Sequence, residues 1–479
     1  MASEAGSVSG ARDVGAPAPP SPSSPHGDGL PLPQRGWAML AIGLAIMMAV
    51  LDGTIANVGL PTIAADMHAG AADAVWVVNA YQLVITVLLL PLASLGEIIG
   101  YRRIYRVGLV IFTLASLACA LSDSLATLTL MRALQGVGAA GIMSVNIALV
   151  RFINPRAKLG QGIGLIALIV ALSAAIGPTV AAAILSVADW PWLFATNVPI
   201  GITALFAARA LPRTPRAAHR FDLASALLNT LFFGLFIVAV DDIGHDGATL
   251  DTLLLFAGAG IAGVVLVRRQ LLQTSPLLPI DLLRMPMFAL SIATSVCSFM
   301  AQMLAFVSIP FYFQQVFGRD AVVAGLLITP WPVAVAIMAP IAGRLADRYP
   351  AGLLGGIGLG VFALGLALLA QLPAAPENAD IVWRMALCGV GFGFFQSPNN
   401  RAIISATPRA RSGGASGMLG TARLLGQSTG TALVALLFDV VGASAPVWAL
   451  VIAAGVAVLA ALVSMVRLAP QAKDRKSNG

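Results

Sequence analysis

The chain has 479 residues, 58% of them hydrophobic and only 10% charged, with a formal charge of +7. An ordinary soluble domain carries about 25% charged residues, so a water-soluble enzyme is excluded. The length accommodates many spans of about 20 apolar residues, and the alternating pattern of a membrane barrel is absent.

In chain order, residues 1–36 are rich in Ala, Pro, Ser and Gly with almost nothing large and apolar to bury, which predicts a disordered cytoplasmic tail. The first apolar run, 37–58, is too long for the apolar core of a signal peptide and is kept as a span. Thirteen more follow at 74–95, 104–121, 125–149, 160–185, 191–211, 222–241, 251–270, 287–316, 320–342, 352–372, 380–404, 412–438 and 445–467. The reading is an all-α integral membrane protein of fourteen transmembrane helices.

The basic residues orient it, because cytoplasmic loops retain Lys and Arg. Of 28, Arg132, Arg384 and Arg423 fall deep within spans and Arg319 follows an odd-numbered one; the others lie in tails, in connections after even-numbered spans, or at the span ends that border those connections. Both termini are therefore expected in the cytoplasm. The net charge is a topology signal, which removes nucleic acid as a partner.

The chain also repeats itself. GVGAAGIMSVN at 136–146 aligns without gaps on GVGFGFFQSPN at 389–399, and the same offset carries Gly160, Gly164 and Gly177 onto Gly413, Gly417 and Gly430. Spans one to six thus match nine to fourteen. The expected organisation is a tail (1–36), a six-helix bundle (37–212), two inserted helices (213–283), a pseudo-repeated six-helix bundle (284–468) and a tail (469–479).

Five strings in order, LDGTIANVGLPTIAADM, LGEIIGYRR, LTLMRALQGVGAAG, LSAAIGPTVAAAI and WPWLFATNVPIG, resemble the major facilitator superfamily, and within it the fourteen-span drug:proton antiporters that include the methyl viologen and quaternary ammonium exporters. The resemblance covers about residues 37–467. It implies proton-coupled multidrug efflux across the cell inner membrane, with a small-molecule substrate, a lipid bilayer, a monomer, no cofactor and the proton gradient as energy source.

Asp52 is the first candidate for proton coupling and substrate binding. A carboxylate inside a span costs about 2.5–3.5 kcal/mol on insertion scales, so it should face the cavity and be functional. The bland alternative is a carboxylate near the outer interface that bonds a neighbour. Arg132 is the other buried charge of the first half; in the family such an arginine assists proton transfer, while a structural role bonding backbone carbonyls is equally open.

Glu97, Gly100, Arg102 and Arg103 after span two, with Gly343, Arg344, Asp347 and Arg348 after span ten, match the family's loop signature, which implies a cytoplasmic gate. Ala93 stands where that pattern has glycine, and Glu97 where it has aspartate. Gly177 and Pro178, among small residues, match the antiporter helix-packing motif, although such seams are also ordinary membrane-helix packing. Cavity candidates of amide, aromatic or basic character are Asn57, Trp76, Tyr81, Gln82, Gln302, Phe306, Phe395, Asn399 and Arg423. Aromatic faces can hold planar cations.

No phosphate loop surrounds any of Lys158, Lys473 or Lys476. The four histidines lie in tails or connections, so neither an intramembrane imidazole relay nor a metal cluster is expected. The chain is not expected to be an enzyme, since no Asp-rich helix offers a diphosphate–metal site. The competing reading within transport is export or import of an anionic metabolite or antibiotic.

Overall fold

A computed structural model describes residues 29–155, 158–216, 221–246, 249–273, 280–407 and 412–468. Most of both expected tails, 1–28 and 469–479, lies outside the described residues. Within them the chain is helical throughout, with no strand.

The helices are α1 (Gln34–Asp66), α2 (Ala71–Ile99), α3 (Tyr101–Ala120), α4 (Leu125–Ile153), α5 (Leu159–Leu185), α6 (Pro191–Ala195), α7 (Asn197–Ala207), α8 (Leu223–Asp246) and α9 (Leu250–Leu272). Then come α10 (Pro286–Phe311), α11 (Ala321–Ile328), α12 (Pro330–Leu345), α13 (Ala351–Ala370), α14 (Asn378–Ser405), α15 (Ser412–Val441) and α16 (Ala445–Val466). Proline at the first helical position, where its missing N–H costs nothing, starts α6, α10 and α12.

Among the described residues, twelve stretches are long and apolar enough to cross a membrane. One of them, Gly417–Val466, contains α15 from Gly417 onward and all of α16. The stretch of α14 is not among the twelve. The expected span 191–211 is broken between α6 and α7, and 320–342 between α11 and α12, where Thr329 leads into Pro330. The first helix starts at Gln34, inside the expected tail, and Leu30 is tied down by its N–H donating to the Ile153 carbonyl at 3.0 Å.

Successive helices run back and forth. Trp190 Nε1 donates to Asp66 Oδ2 at 2.7 Å, joining the chain ahead of α6 to the far end of α1. Arg102 Nη2 donates to the Arg209 carbonyl at 3.2 Å and the Tyr101 N–H to Thr214 Oγ1 at 3.1 Å, at the opposite end. We call these the acidic and the basic end. Gly100 alone separates α2 from α3 and has φ 105°, a conformation that glycine adopts without the penalty of a side chain.

α4 packs along α2 and α3, while α1 packs on α5 and α7, and α3 on α7. Later in the chain, α14 packs along α12 and α13, α10 on α15 and α16, and α13 on α16. The closest approaches rest on glycine. A Cβ on Gly138 would lie 2.4 Å from the Phe112 N and 2.7 Å from the Gly108 O; on Gly391 it would lie 2.3 Å from the Phe362 N and 2.7 Å from the Gly358 O. Between these groups of helices, α2 packs on α15, α5 on α11 and α12, and α1 on α10.

Candidate functional site

Asp52 lies in the middle of α1, with a side chain only 1% exposed. Its two oxygens are fully engaged. Oδ2 accepts from Arg132 Nη1, and Oδ1 accepts from Gln135 Nε2 and from Asn197 Nδ2, both at 2.8 Å. Two helices therefore converge on the α1 carboxylate: α4 brings Arg132 and Gln135 on one face, since residues three apart are neighbours on a helix, and α7 brings Asn197.

The guanidinium is held as tightly. Arg132 Nε donates to the Val77 carbonyl of α2 at 3.0 Å and Nη1 to Gln135 Oε1 at 2.5 Å. Its Cζ lies 4.2 Å from the centre of the Tyr81 ring and 5.3 Å from that of Phe194, aromatic faces that stabilise a cation. Gln135 Nε2 also donates to Ser116 Oγ of α3 at 2.8 Å, and the Tyr81 hydroxyl donates to the Ala49 carbonyl at 3.3 Å. Arg132 Nη2 is buried with no hydrogen-bond partner in this arrangement.

The sequence leads to Asp52 and Arg132 but not to this geometry. Asp52 was expected to face the cavity; it is instead enclosed among α1, α2, α4 and α7. Arg132, open in the sequence to a proton-transfer or a structural role, pairs with Asp52 directly and also bonds the Val77 backbone carbonyl. Gln135, Asn197 and Ser116 do not stand out in the sequence, because uncharged polar residues barely disturb hydropathy. The available signals were the one-turn spacing of Gln135 from Arg132 and the asparagine within WPWLFATNVPIG.

The other cavity candidates scatter. Tyr81 belongs to the Asp52 site. Asn57 is 4% exposed, and its Oδ1 has no hydrogen-bond partner among the described residues. Trp76 lines a shallow groove of about 340 Å³ between α2 and α4 with Ala80, Leu83, Val84, Leu130 and Ala133. Gln82 is half-buried on α2, where its carbonyl accepts from Thr86 Oγ1 at 2.8 Å. Gln302 is half-buried on α10. Phe306 packs edge-on against Trp331, and Phe395 is 1% exposed against Phe392. The Arg423 guanidinium sits 5.3 Å from the Phe299 ring.

Asn399 is part of a second buried cluster. Its Oδ1 accepts from Arg467 Nη1 at 2.6 Å, and its Nδ2 donates to Ser295 Oγ at 2.8 Å. Arg467 is 0% exposed, and its other donors reach Ser291 Oγ, Ser464 Oγ and the Ser464 carbonyl, all neutral. Arg467 is the last residue of the fourteenth expected span.

The two loop signatures differ. In the second, Asp347 pairs with Arg401 of α14, with both side chains more than half exposed, and Gly343 approaches Ser397. Arg344 and Arg348 are exposed. In the first, Glu97 and Arg103 are exposed, Arg102 bonds the Arg209 carbonyl, and Gly100 turns the chain. Gly177 and Pro178 sit where α5 meets α1 and α11. A Cβ on Gly177 would lie 2.0 Å from Thr54 Oγ1, and one on Gly325 of α11 would lie 2.8 Å from the Pro178 carbonyl.

A helical molecule with this many apolar stretches and a charge pair sealed inside is a multi-pass membrane protein. The family model of the Major Facilitator Superfamily matches residues 42–431 and again 292–479. The chain belongs to that superfamily. It is 56% identical to the Uncharacterized transporter YebQ of Escherichia coli K12, over 92% of this chain and 97% of that one. It is 30% identical to the Riboflavin transporter RibZ of Clostridioides difficile, over 85% and 88%, and 32% identical to the Multidrug resistance protein Stp of Mycobacterium tuberculosis, over 83% and 74%. Among solved structures, a bacterial homologue of the human lysosomal transporter Spinster, inward-facing and unoccupied, superposes with a TM-score of 0.65 at 14% identity, covering 91% of this chain and 98% of that one.

Proposed function

We propose that the protein is a proton-coupled multidrug efflux antiporter of the cell inner membrane, exporting hydrophobic, cationic toxic compounds by alternating access. The observation that carries this reading is the enclosed Asp52–Arg132 pair. While the pair is closed, the carboxylate is neutralised and out of reach. Protonating Asp52 in place would leave Arg132 as an uncompensated buried cation, which is strongly unfavourable. Proton uptake therefore requires the helices around the pair to part, and the parted carboxylate can hold either a proton or a cationic substrate. Gln135 and Asn197 orient the carboxylate. The loop signatures at the basic end act as gate elements, and Gly177 and Pro178 form the packing seam. The relative named for multidrug resistance supports efflux.

We read fourteen crossings. α14, at 28 residues, is long enough for one, and the stretch Gly417–Val466 holds two helices divided near Gly442. Residues 37–212 and 284–468 then form two matched six-helix halves, with α8 and α9 inserted and both termini in the cytoplasm. The equivalent close approaches at Gly138 on Phe112 and Gly391 on Phe362 support the duplication.

A second reading is transport of an anionic metabolite or antibiotic. It is favoured by Arg467, a buried cation bonded to neutral partners, and by the relative named for riboflavin.

Efflux of a cationic dye from cells lacking their own pumps, with and without a proton uncoupler, tests the main reading. Expression should speed dye loss, and the uncoupler should abolish the gain. Efflux that persists in the uncoupler would overturn proton coupling, and faster loss of an anionic dye alone would favour the second reading.

A further inference from the structure

The inserted helices α8 and α9 have a defined mechanical attachment. They form a hairpin pinned at both ends. Near the start of α8, Asp222 accepts from Arg269 Nη2 of α9 at 2.9 Å, from Gln273 Nε2 just past α9, and from the Ser225 N–H at 3.1 Å. At the other end Thr252 Oγ1 donates to Asp242 Oδ2 at 2.5 Å. Between the ends, Phe236 packs edge-on against Phe256. The outer face of α9 is apolar and open, with Ile261 65% exposed.

α8 lies across the junction of α2 and α15. Apolar clusters join it to both: Ile237 and Val240 pack with Ala432 of α15, Leu228 packs with Met418 and Leu419, and the same clusters take in Leu83 and Leu90 of α2. Toward α2, Asn229, 2% exposed, donates from Nδ2 to the Val87 carbonyl at 2.8 Å. That carbonyl is available for a specific reason. Its helical partner would be the N–H of residue 91, which is Pro91 and has none. In hydrocarbon an unpaired carbonyl costs several kcal/mol, so one amide on α8 completes the backbone of α2.

We propose that the α8–α9 hairpin is a strap latched to α2 through Asn229 at the carbonyl freed by Pro91, and that it rests on α15 through non-directional apolar contact. The strap is thereby a mechanical part of the α2 side, and it covers the α2–α15 seam, where Thr86 Oγ1 and Ser428 Oγ lie 3.0 Å apart. Apolar contacts tolerate sliding; a hydrogen bond to a fixed carbonyl does not. The latch is independent of which solute is carried.

The test is pulsed electron–electron distance measurement on the full chain in lipid nanodiscs. One nitroxide sits at Ile261 on α9, and the other at Leu114 on α3 or at Leu364 on α13, all exposed positions. Asn229→Leu, with Asn229→Ala as the milder variant, should turn the single narrow Ile261–Leu114 distance into a broad distribution and leave Ile261–Leu364 narrow. An unchanged Ile261–Leu114 distance in the variants, or broadening of Ile261–Leu364 instead, would overturn the latch. Thermal unfolding gives an independent reading: Asn229→Leu should lower Tm less in a Pro91→Ala background, where residue 91 regains its N–H, than beside Pro91. Equal losses would mean that Asn229 does not serve the Val87 carbonyl.

Discussion

Asp52 and Arg132, eighty residues apart in the chain, meet as an ion pair between α1 and α4 with side chains 1% and 0% exposed. Removing one member of such a pair leaves the other charge buried alone, at a cost of about 3–5 kcal/mol, whereas removing both avoids most of that penalty. Arg132→Ala alone should therefore lower the thermal midpoint of the purified protein more than Asp52→Ala and Arg132→Ala together. A double variant whose loss equals the sum of the singles would show that the two residues are not coupled in the folded state.

This pair also marks how far the sequence reaches. Charges inside apolar runs stand out because their burial is expensive, so Asp52 and Arg132 are legible at once. The amides that complete the site are nearly silent in hydropathy, and Asn197 enters only because α7 folds back onto α1. Arg467 went unread because a terminal arginine has two possible fates, solvation or burial, and only the packing of Ser291, Asn399 and Ser464 around it decides between them. The helices themselves follow from the apolar runs, whereas the breaks inside the sixth and tenth expected spans depend on local proline placement. The attachment of α8 needed a three-dimensional fact: which side chain faces the carbonyl that Pro91 strands.

Glycines in the seams should divide sharply by what surrounds them. A methyl on Gly138 meets backbone atoms of α3, which cannot step aside, so Gly138→Ala should cost about 1–3 kcal/mol through overpacking. Gly164→Ala in α5 meets nothing within 4 Å and should be neutral or stabilising by roughly 0.5–1 kcal/mol from helix propensity. Thermal midpoints of the two variants side by side check this; equal losses would contradict it.

At Gly177 the obstacle is one side chain, Thr54, whose Oγ1 donates to the Leu51 carbonyl at 2.9 Å. Gly177→Ala should therefore lower both stability and transport, and Thr54→Ala added to it should restore most of each. Failure of the second change to rescue would place the strain elsewhere in the α1–α5–α11 packing.

The tie at the base of the strap has a pH signature. Partial burial works to raise the Asp222 carboxyl, but bonds from Ser225, Gln273 and Arg269 outweigh it and hold the group below the usual carboxylate range. A group with a depressed folded pKa stabilises the protein above its unfolded pKa, here near 3.8, and loses that contribution as pH falls through the folded value. The gap in thermal midpoint between wild type and Asp222→Asn should be full at neutral pH and shrink only below about pH 4. A gap that already closes between pH 7 and pH 5 would contradict this.

The central claim is that Asp52 couples protons to export. Purified protein in liposomes, given an outward proton gradient from an acidic lumen and a fluorescent lipophilic cation outside, tests it most directly when wild type and Asp52→Asn are compared for gradient-driven transport and for exchange without a gradient. Asp52→Asn should insert, lose gradient-driven accumulation and, without the carboxylate that holds the cation, exchange it more slowly. Full gradient-driven accumulation by Asp52→Asn would contradict the account.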